Sequence, residues 1–315
     1  MINIEDFDNV SLSGITYGGH SGSKKGIIFN DERWFLKYPK STKSMNVFNM
    51  SYTTSPISEY LGSHIYKLLG IETHETKLGI ANGKIVVACK DFLNKNEIIL
   101  DYNSIKNDYD DVVEMELLKL SSSNTHQGTD IDEVLIIMNN NEYFKKVPEL
   151  KERFWDMFIV DAFINNNDRN YNNWGLILNN DTLELRVAPV YDNGAAFYSK
   201  SSDERIDNIL QDDFKMKQVI YDSCVSSFIK DGKIINSLKY IEKMDNIDCS
   251  KALLRIFPKI DMKSIKEIFD SIPMEYDNLS VLSKEQRKLY YKSLEYKYEK
   301  VFKPIYDRLN KKIDN

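Results

Sequence analysis

The chain has 315 residues, 42% hydrophobic and 29% charged, which is enough apolar material for a buried core and suggests two lobes or domains. A net charge of -6 counts against a duplex nucleic-acid binder, and three scattered cysteines with four histidines, His20, His64, His74 and His126, give neither a disulfide framework nor a zinc spacing. No apolar run reaches the ~20 residues of a membrane helix and the acidic start is unlike a Sec signal, so a protein of the reducing cytoplasm with no membrane span is expected.

In chain order, Gly26–Phe29 and Arg33–Tyr38 read as a hairpin turning at Asn30-Asp31-Glu32. Ser55-Pro56 then opens a helix as cap and first-turn proline, with Ile57, Tyr60, Leu61, Ile65, Leu68 and Leu69 on one face and Gly70 past its end. Thr76–Ile80 and Lys84–Cys89 flank Asn82-Gly83, a strong hairpin signal. The run Ile85–Cys89 is continuously apolar and should be covered on both faces.

From about residue 100 the pattern reads as helical. Asp130 and Glu133 suggest a capping box, and Lys151–Ile164 sets Phe154, Trp155, Phe158, Ile159, Ala162 and Phe163 on a broad apolar face. A polar loop, Asn165–Asp168, leaves that helix. Trp174–Leu178 and Leu183–Ala188 form a hairpin turning at Asn179-Asn180-Asp181, and a second polar loop, Val190–Gly194, follows it. The remainder reads as helix to the end, with Ser283 and Gln286 as a capping box and Pro304 as a kink or break. Ser121–Asn124 is a short low-complexity loop.

The sharpest chemical pattern is Asp168, then Asn173 five residues on, then a hairpin, then Asp192 close to Gly194. Phosphoryl transfer needs a carboxylate for the attacking hydroxyl, plus an asparagine and an aspartate to hold magnesium against the phosphates, in that chain order. Either half alone is more often a polar turn; their order around a hairpin is what points to chemistry. Lys37 lies in the apolar strand Trp34–Tyr38, where an ammonium wants an anion, against the bland reading of an edge lysine reaching solvent. Glu59, at the start of the next helix, is a candidate partner, or else a solvated first-turn acid. The stretch Gly18-Gly19-His20-Ser21-Gly22-Ser23-Lys24-Lys25 is a weak phosphate-loop signal that gains meaning from standing directly before the lysine strand.

These residues resemble the HipA-like serine/threonine kinases, and within them the cell-translocating kinase subgroup. The resemblance rests on the glycine loop at 18–25, FLKYP at 35–39, SEYLGSHI at 58–65, KIVVACKDF at 84–92, FWDMFIVDAFINNNDRNYNNWG at 154–175, APVYDNGAAFY at 188–198 and ALLRIFPKIDM at 252–262. It implies an α+β, two-lobed protein-kinase-like fold: a strand-rich N-lobe at 1–95 with glycine loop, lysine strand and hinge, and a helical C-lobe at 96–315 with the catalytic and metal loops. It implies ATP and magnesium as cofactors and a serine or threonine of a protein as acceptor. Asp168 would be the base, with Lys37 as the phosphate-contacting lysine. Asn173 and Asp192 would be the metal ligands, and Cys89, Lys90 and Phe92 would belong to an adenine-reading hinge. It also implies autophosphorylation in the glycine loop, on Thr16, Ser21 or Ser23. Asn170 stands where many such loops carry histidine. A lipid or small-molecule kinase on the same fold, or a pseudokinase acting by association, are the alternative readings. The sequence names neither the acceptor nor an antitoxin partner, and fits both a cytoplasmic growth inhibitor and an effector delivered without a Sec signal.

Overall fold

A computed structural model describes residues 1–18, 24–45, 49–106 and 129–313. Residues 19–23 of the glycine loop, the Ser121–Asn124 loop and His126 lie outside the described residues.

The first hairpin joins β3 (Lys24–Phe29) to β4 (Glu32–Lys37), with Asn30 and Asp31 left-handed at φ 52° and 60°. Two left-handed residues match the twist of paired strands. Asn82 and Gly83, at φ 51° and 65°, do the same between β5 (Thr76–Ala81) and β6 (Lys84–Lys90). Short strands β1 (Glu5–Asp6) and β2 (Ser11–Leu12) complete a six-stranded sheet in the order β1-β5-β6-β4-β3-β2, antiparallel except where β1 lies beside β5. The apolar run in β6 is covered on both faces. Val87 and Cys89 pack with Phe35 and with helix α1 (Ser55–Leu68), while Val86 and Ala88 pack with Phe7, Ile27 and Trp34. The start of α1 corrects one expectation: Thr54 holds the cap position without a side-chain hydrogen bond, and Ser55 is already helical.

The helical part is organised on the helix Glu149–Ile164, whose expected apolar face is buried throughout. Its last carbonyls would be orphans in the core. Lys297, itself fully buried, donates to the carbonyls of Ala162 (2.9 Å) and Phe163 (3.2 Å), so a cation meets the negative end of the helix. Asn165 then turns left-handed, at φ 59°, and releases the chain into the polar loop.

The expectation of helix throughout the rest does not hold. β7 (Glu97–Asp101) pairs antiparallel with β9 (Gly175–Asn179), which pairs in turn with β10 (Leu185–Val187), the anticipated hairpin. β8 (Thr129–Asp130), β11 (Val225–Lys230) and β12 (Lys233–Asn236) form another small sheet, and β13 (Glu275–Tyr276) pairs with β14 (Leu279–Ser280). β7 and β8 owe their state to partners far along the chain, which local propensity does not register. Asp130 caps the helix Ile131–Asn140 by accepting from Asp132 N–H (2.8 Å) and Glu133 N–H (3.4 Å), a simple cap rather than the reciprocal box expected. Ser283 and Gln286 do form their box. Near Pro304 the terminal helix loosens into a π-helical turn, Tyr298–Phe302, before resuming at Lys303–Ile313. Proline excludes the bond to the carbonyl four residues back, and the wider turn removes the clash. Among the described residues no helix is long and apolar enough to cross a membrane.

Gly175 sets how closely β7 and β9 approach. A Cβ there would lie 2.7 Å from Asp101 Cα and against the Leu100 carbonyl. Gly175→Ala is expected to push the two strands apart and lower stability by about 1–3 kcal/mol, read as a fall in thermal midpoint. An unchanged midpoint would mean that the ladder yields at no cost.

Candidate active site

Asp161 is a carboxylate inside the apolar central helix, and a charge there must be neutralised in place. Arg169, from the loop after that helix, does so: Nε donates to Oδ2 (2.8 Å) and Nη2 to Oδ1 (3.1 Å). The remaining guanidinium N–H groups reach both polar loops, with Nη1 donating to the carbonyls of Asn173 (3.0 Å) and Tyr191 and Nη2 to Asn193 Oδ1 (2.6 Å). Tyr66 Oη (2.7 Å) and Asn166 Nδ2 (3.0 Å) also donate to Asp161 Oδ1. Burial opposes the Arg169 charge, but Asp161 holds its pKa above the ordinary value.

Lys37, on β4, bridges two carboxylates. Its Nζ donates to Glu59 Oε2 at 2.7 Å and to Asp192 Oδ1 at 2.8 Å. Glu59, completely buried on α1, also receives His74 Nε2–H (2.9 Å) and the Asn193 N–H (3.0 Å) on Oε1. Burial works against the Glu59 carboxylate, yet Lys37 and His74 hold it well below the usual carboxylate range. Burial likewise disfavours the Lys37 ammonium, and Asp192 and Glu59 outweigh it. Lys37 chiefly lowers the Asp192 pKa. Asp192 is left-handed, at φ 62°, so the loop turns sharply where it presents its carboxylate. Glu59, His74 and Cys89 also bring three potential ligand atoms together within 4.8 Å. Lys37 and His74 already occupy both Glu59 oxygens, and burial pushes the Cys89 thiol well up.

Asp168 lies in the polar loop, where Asn170 Nδ2 donates to its Oδ1 at 2.9 Å and Asn173 Nδ2 donates to its backbone carbonyl at 2.7 Å. Asn170 therefore replaces the more familiar histidine with a neutral donor that orients the aspartate. Of the glycine loop, only Gly18 and the lysines fall among the described residues. Lys24 stands directly across the ladder from Lys37, and burial, then Lys37, lower its pKa. In the 89–92 stretch, Cys89 pairs with Phe35 on one side and Thr76 on the other. Lys90 N–H donates to Glu75 O and Asp91 N–H to Arg33 O, both at 2.9 Å. The Lys90 side chain turns outward to Glu32, at 2.6 Å, and the Phe92 ring lies 5.8 Å from that of Tyr191.

Asp161, Arg169, His74 and Asn193 did not emerge from the sequence as site residues. A signal existed for the first pair: an acidic residue in the middle of FWDMFIVDAFI requires a cation, and Arg169 adjoins Asp168. His74 and Asn193 carried no such mark.

The chain is 34% identical over 259 residues to the serine/threonine-protein kinase CtkA of Helicobacter pylori, covering 82% of this chain and 75% of that protein. It superposes on the crystal structure of the H. pylori proinflammatory kinase CtkA with a TM-score of 0.84 at 30% identity, spanning 98% of each chain. HipA of Shewanella oneidensis, in its complex with HipB and operator DNA, gives a TM-score of 0.54 at 12% identity over 95% of this chain and 70% of that one, a likeness of fold. No family model matches the chain. The α+β, two-lobed kinase-like architecture expected from the sequence is thus the observed one, with a fold like that of HipA, and the chain belongs to the CtkA family of serine/threonine-protein kinases.

Proposed function

We propose that the chain transfers the γ-phosphate of ATP, with magnesium, to a serine or threonine hydroxyl of a protein. One observation carries this reading: a single bonded network joins Lys37, Glu59, Asp192, Asn193, Arg169 and the Asp168–Asn173 loop. The N-lobe would be 1–95 and the C-lobe 96–315, a division supported by β7, which already pairs with the second sheet from Glu97 onward. Cys89–Phe92 would then be the hinge, reading adenine through backbone groups.

Three carboxylates, Glu59, Asp168 and Asp192, stand against two ammonium groups, Lys37 and Lys24, an excess of negative charge that suits a divalent cation. Asp192 offers a hard carboxylate oxygen. Asn173 has committed its Nδ2 to the Asp168 carbonyl, which leaves Oδ1 for a cation. Magnesium, when bound, supplies positive charge to the phosphate oxygens. Lys37 has a third N–H beyond the two given to Glu59 and Asp192, and that N–H is the one for a phosphate oxygen. With Oδ1 of Asp168 held by Asn170, Oδ2 faces the acceptor. As the hydroxyl oxygen bonds to phosphorus, its proton passes to Oδ2, and the bond from phosphorus to the bridging oxygen breaks with its electron pair going to ADP.

Asp168→Asn is expected to cut turnover by about 10²–10⁴-fold while nucleotide binding persists, measured with labelled ATP and a generic basic protein. Phosphorylation near the wild-type rate would remove Asp168 from this role. Asp192→Asn should weaken magnesium-dependent nucleotide binding in calorimetry, because a charged ligand is lost; unchanged affinity would refute the metal assignment. A phosphate on Thr16, Ser21 or Ser23 would add about -1.5 to -2 charge beside the nucleotide phosphates and so switch the enzyme off. Intact mass after long incubation with Mg-ATP should show this phosphate in wild type and not in Asp168→Asn. Its absence from an active wild-type preparation would end the idea of loop autophosphorylation.

A further inference from the structure

β4 presents Phe35 and Lys37 to the same face of the sheet, because side chains two apart along a strand point the same way. Lys37 meets Glu59 and Asp192 at one end of that face. Phe35 stands one repeat further along, directly across the ladder from Cys89, where the stretch 89–92 begins. In the phosphotransfer reading, on which this inference rests, that stretch is the hinge, and a purine reaching its backbone would lie against the Phe35 ring.

The place is already taken. The Tyr17 ring stacks on Phe35, with centroids 4.6 Å apart and planes 29° from parallel, and its hydroxyl donates to Asp91 Oδ2 at 3.0 Å. The acceptor is itself nearly covered, its side chain 8% exposed, with the Arg33 guanidinium 3.5 Å away. Burial, then Asp91, push the Tyr17 hydroxyl above its ordinary range, so it remains a donor. Gly26 supplies the room: it lies opposite Phe35 in the ladder, and a Cβ there would come within 3.0 Å of Tyr17 Cε2. Tyr17 therefore offers the hinge what adenine offers, a flat ring with a hydrogen-bond donor at its edge. Its backbone tether is slight. The Ser13 N–H bonds to the Gly26 carbonyl at 3.0 Å, and from there to Gly18 the only backbone N–H bond among the described residues runs from Ile15 to Ser13 Oγ, at 3.2 Å. The ring and the hydroxyl are the main hold on this half-buried residue.

We propose that Tyr17 is an intramolecular stand-in for adenine: the empty enzyme keeps the base end of its nucleotide site filled with its own side chain, and a nucleotide binds only as Tyr17 swings out. Phe35 and Asp91 serve both occupants in turn. The apparent affinity for nucleotide is then the intrinsic one reduced by the fraction of molecules in which Tyr17 is out.

Adenosine, Mg-AMP-PNP and magnesium tripolyphosphate are titrated by calorimetry into the full chain and into Tyr17→Ala and Tyr17→Phe. Tyr17→Ala is expected to tighten adenosine and Mg-AMP-PNP by about five-fold or more, because the competing occupant is gone. Tyr17→Phe keeps the stack and loses the Asp91 bond, so it should tighten both by a smaller factor. Tripolyphosphate, which has no base, should bind all three proteins alike. Adenosine bound more weakly by Tyr17→Ala would make Tyr17 a wall of the site and overturn the proposal. Unchanged adenosine affinity would overturn it too, as would an equal tightening of tripolyphosphate. Those outcomes leave the phosphotransfer reading standing, whereas no nucleotide binding by any of the three proteins would overturn that reading and this proposal with it.

Discussion

The carboxylate of Asp161 cannot be left alone in the middle of an apolar helix, and the arginine that answers it cannot reach it without bringing the following loop along. Arg169 spends every N–H it has: on Asp161, on the carbonyls of Asn173 and Tyr191, and on the Asn193 side chain. Two loops separated by a hairpin are thereby hung from one helix. A buried ion pair is weak evidence of net stability against an apolar alternative, but removing one partner leaves an uncompensated charge at a cost of about 3–5 kcal/mol. The pair thus holds geometry rather than adding stability for its own sake.

Glu59 plays the matching part for the sheet. It takes Lys37 from β4, His74 from the segment before β5 and the Asn193 backbone from the loop across the cleft. Asn193 is where the two systems meet, accepting from Arg169 through its side chain and donating to Glu59 through its N–H. It also donates from Nδ2 to Ser63 at 3.1 Å, and its Cβ lies so near Gly62 that a side chain there would come within 2.8 Å. The helix glycine is a steric requirement of this junction.

Sequence reading succeeded where the deciding forces are local. Asn30-Asp31 and Asn82-Gly83 favour left-handed turns, and Ser283 and Gln286 reach only one another's backbone. It failed where the partner is remote. Nothing in Glu97–Asp101 announces β9, and nothing near His74 announces Glu59, since both relations exist only after the chain has closed on itself. The Ser55 cap was misjudged by a single position, because the turn before Pro56 is settled by packing: the Thr54 N–H is taken by the Ser199 carbonyl at 2.9 Å and its hydroxyl lies 3.1 Å from that of Tyr290.

Lys297 gives the architecture a direction in time. It emerges from the ribosome long after the central helix, yet it alone carries the ammonium that meets the Ala162 and Phe163 carbonyls, just before the chain turns at Asn165 into the Asp168 loop. Until that segment is made, among the described residues the Ala162 carbonyl at the end of the helix has only the Cys224 thiol as a side-chain donor and the Phe163 carbonyl has none. An unfinished chain, or one cut short by a premature stop, therefore has the residues of the site without the anchor that seats them. Synthesis of the segment around Lys297 becomes a checkpoint, and the loop that carries Asp168 is seated only after that segment has been made.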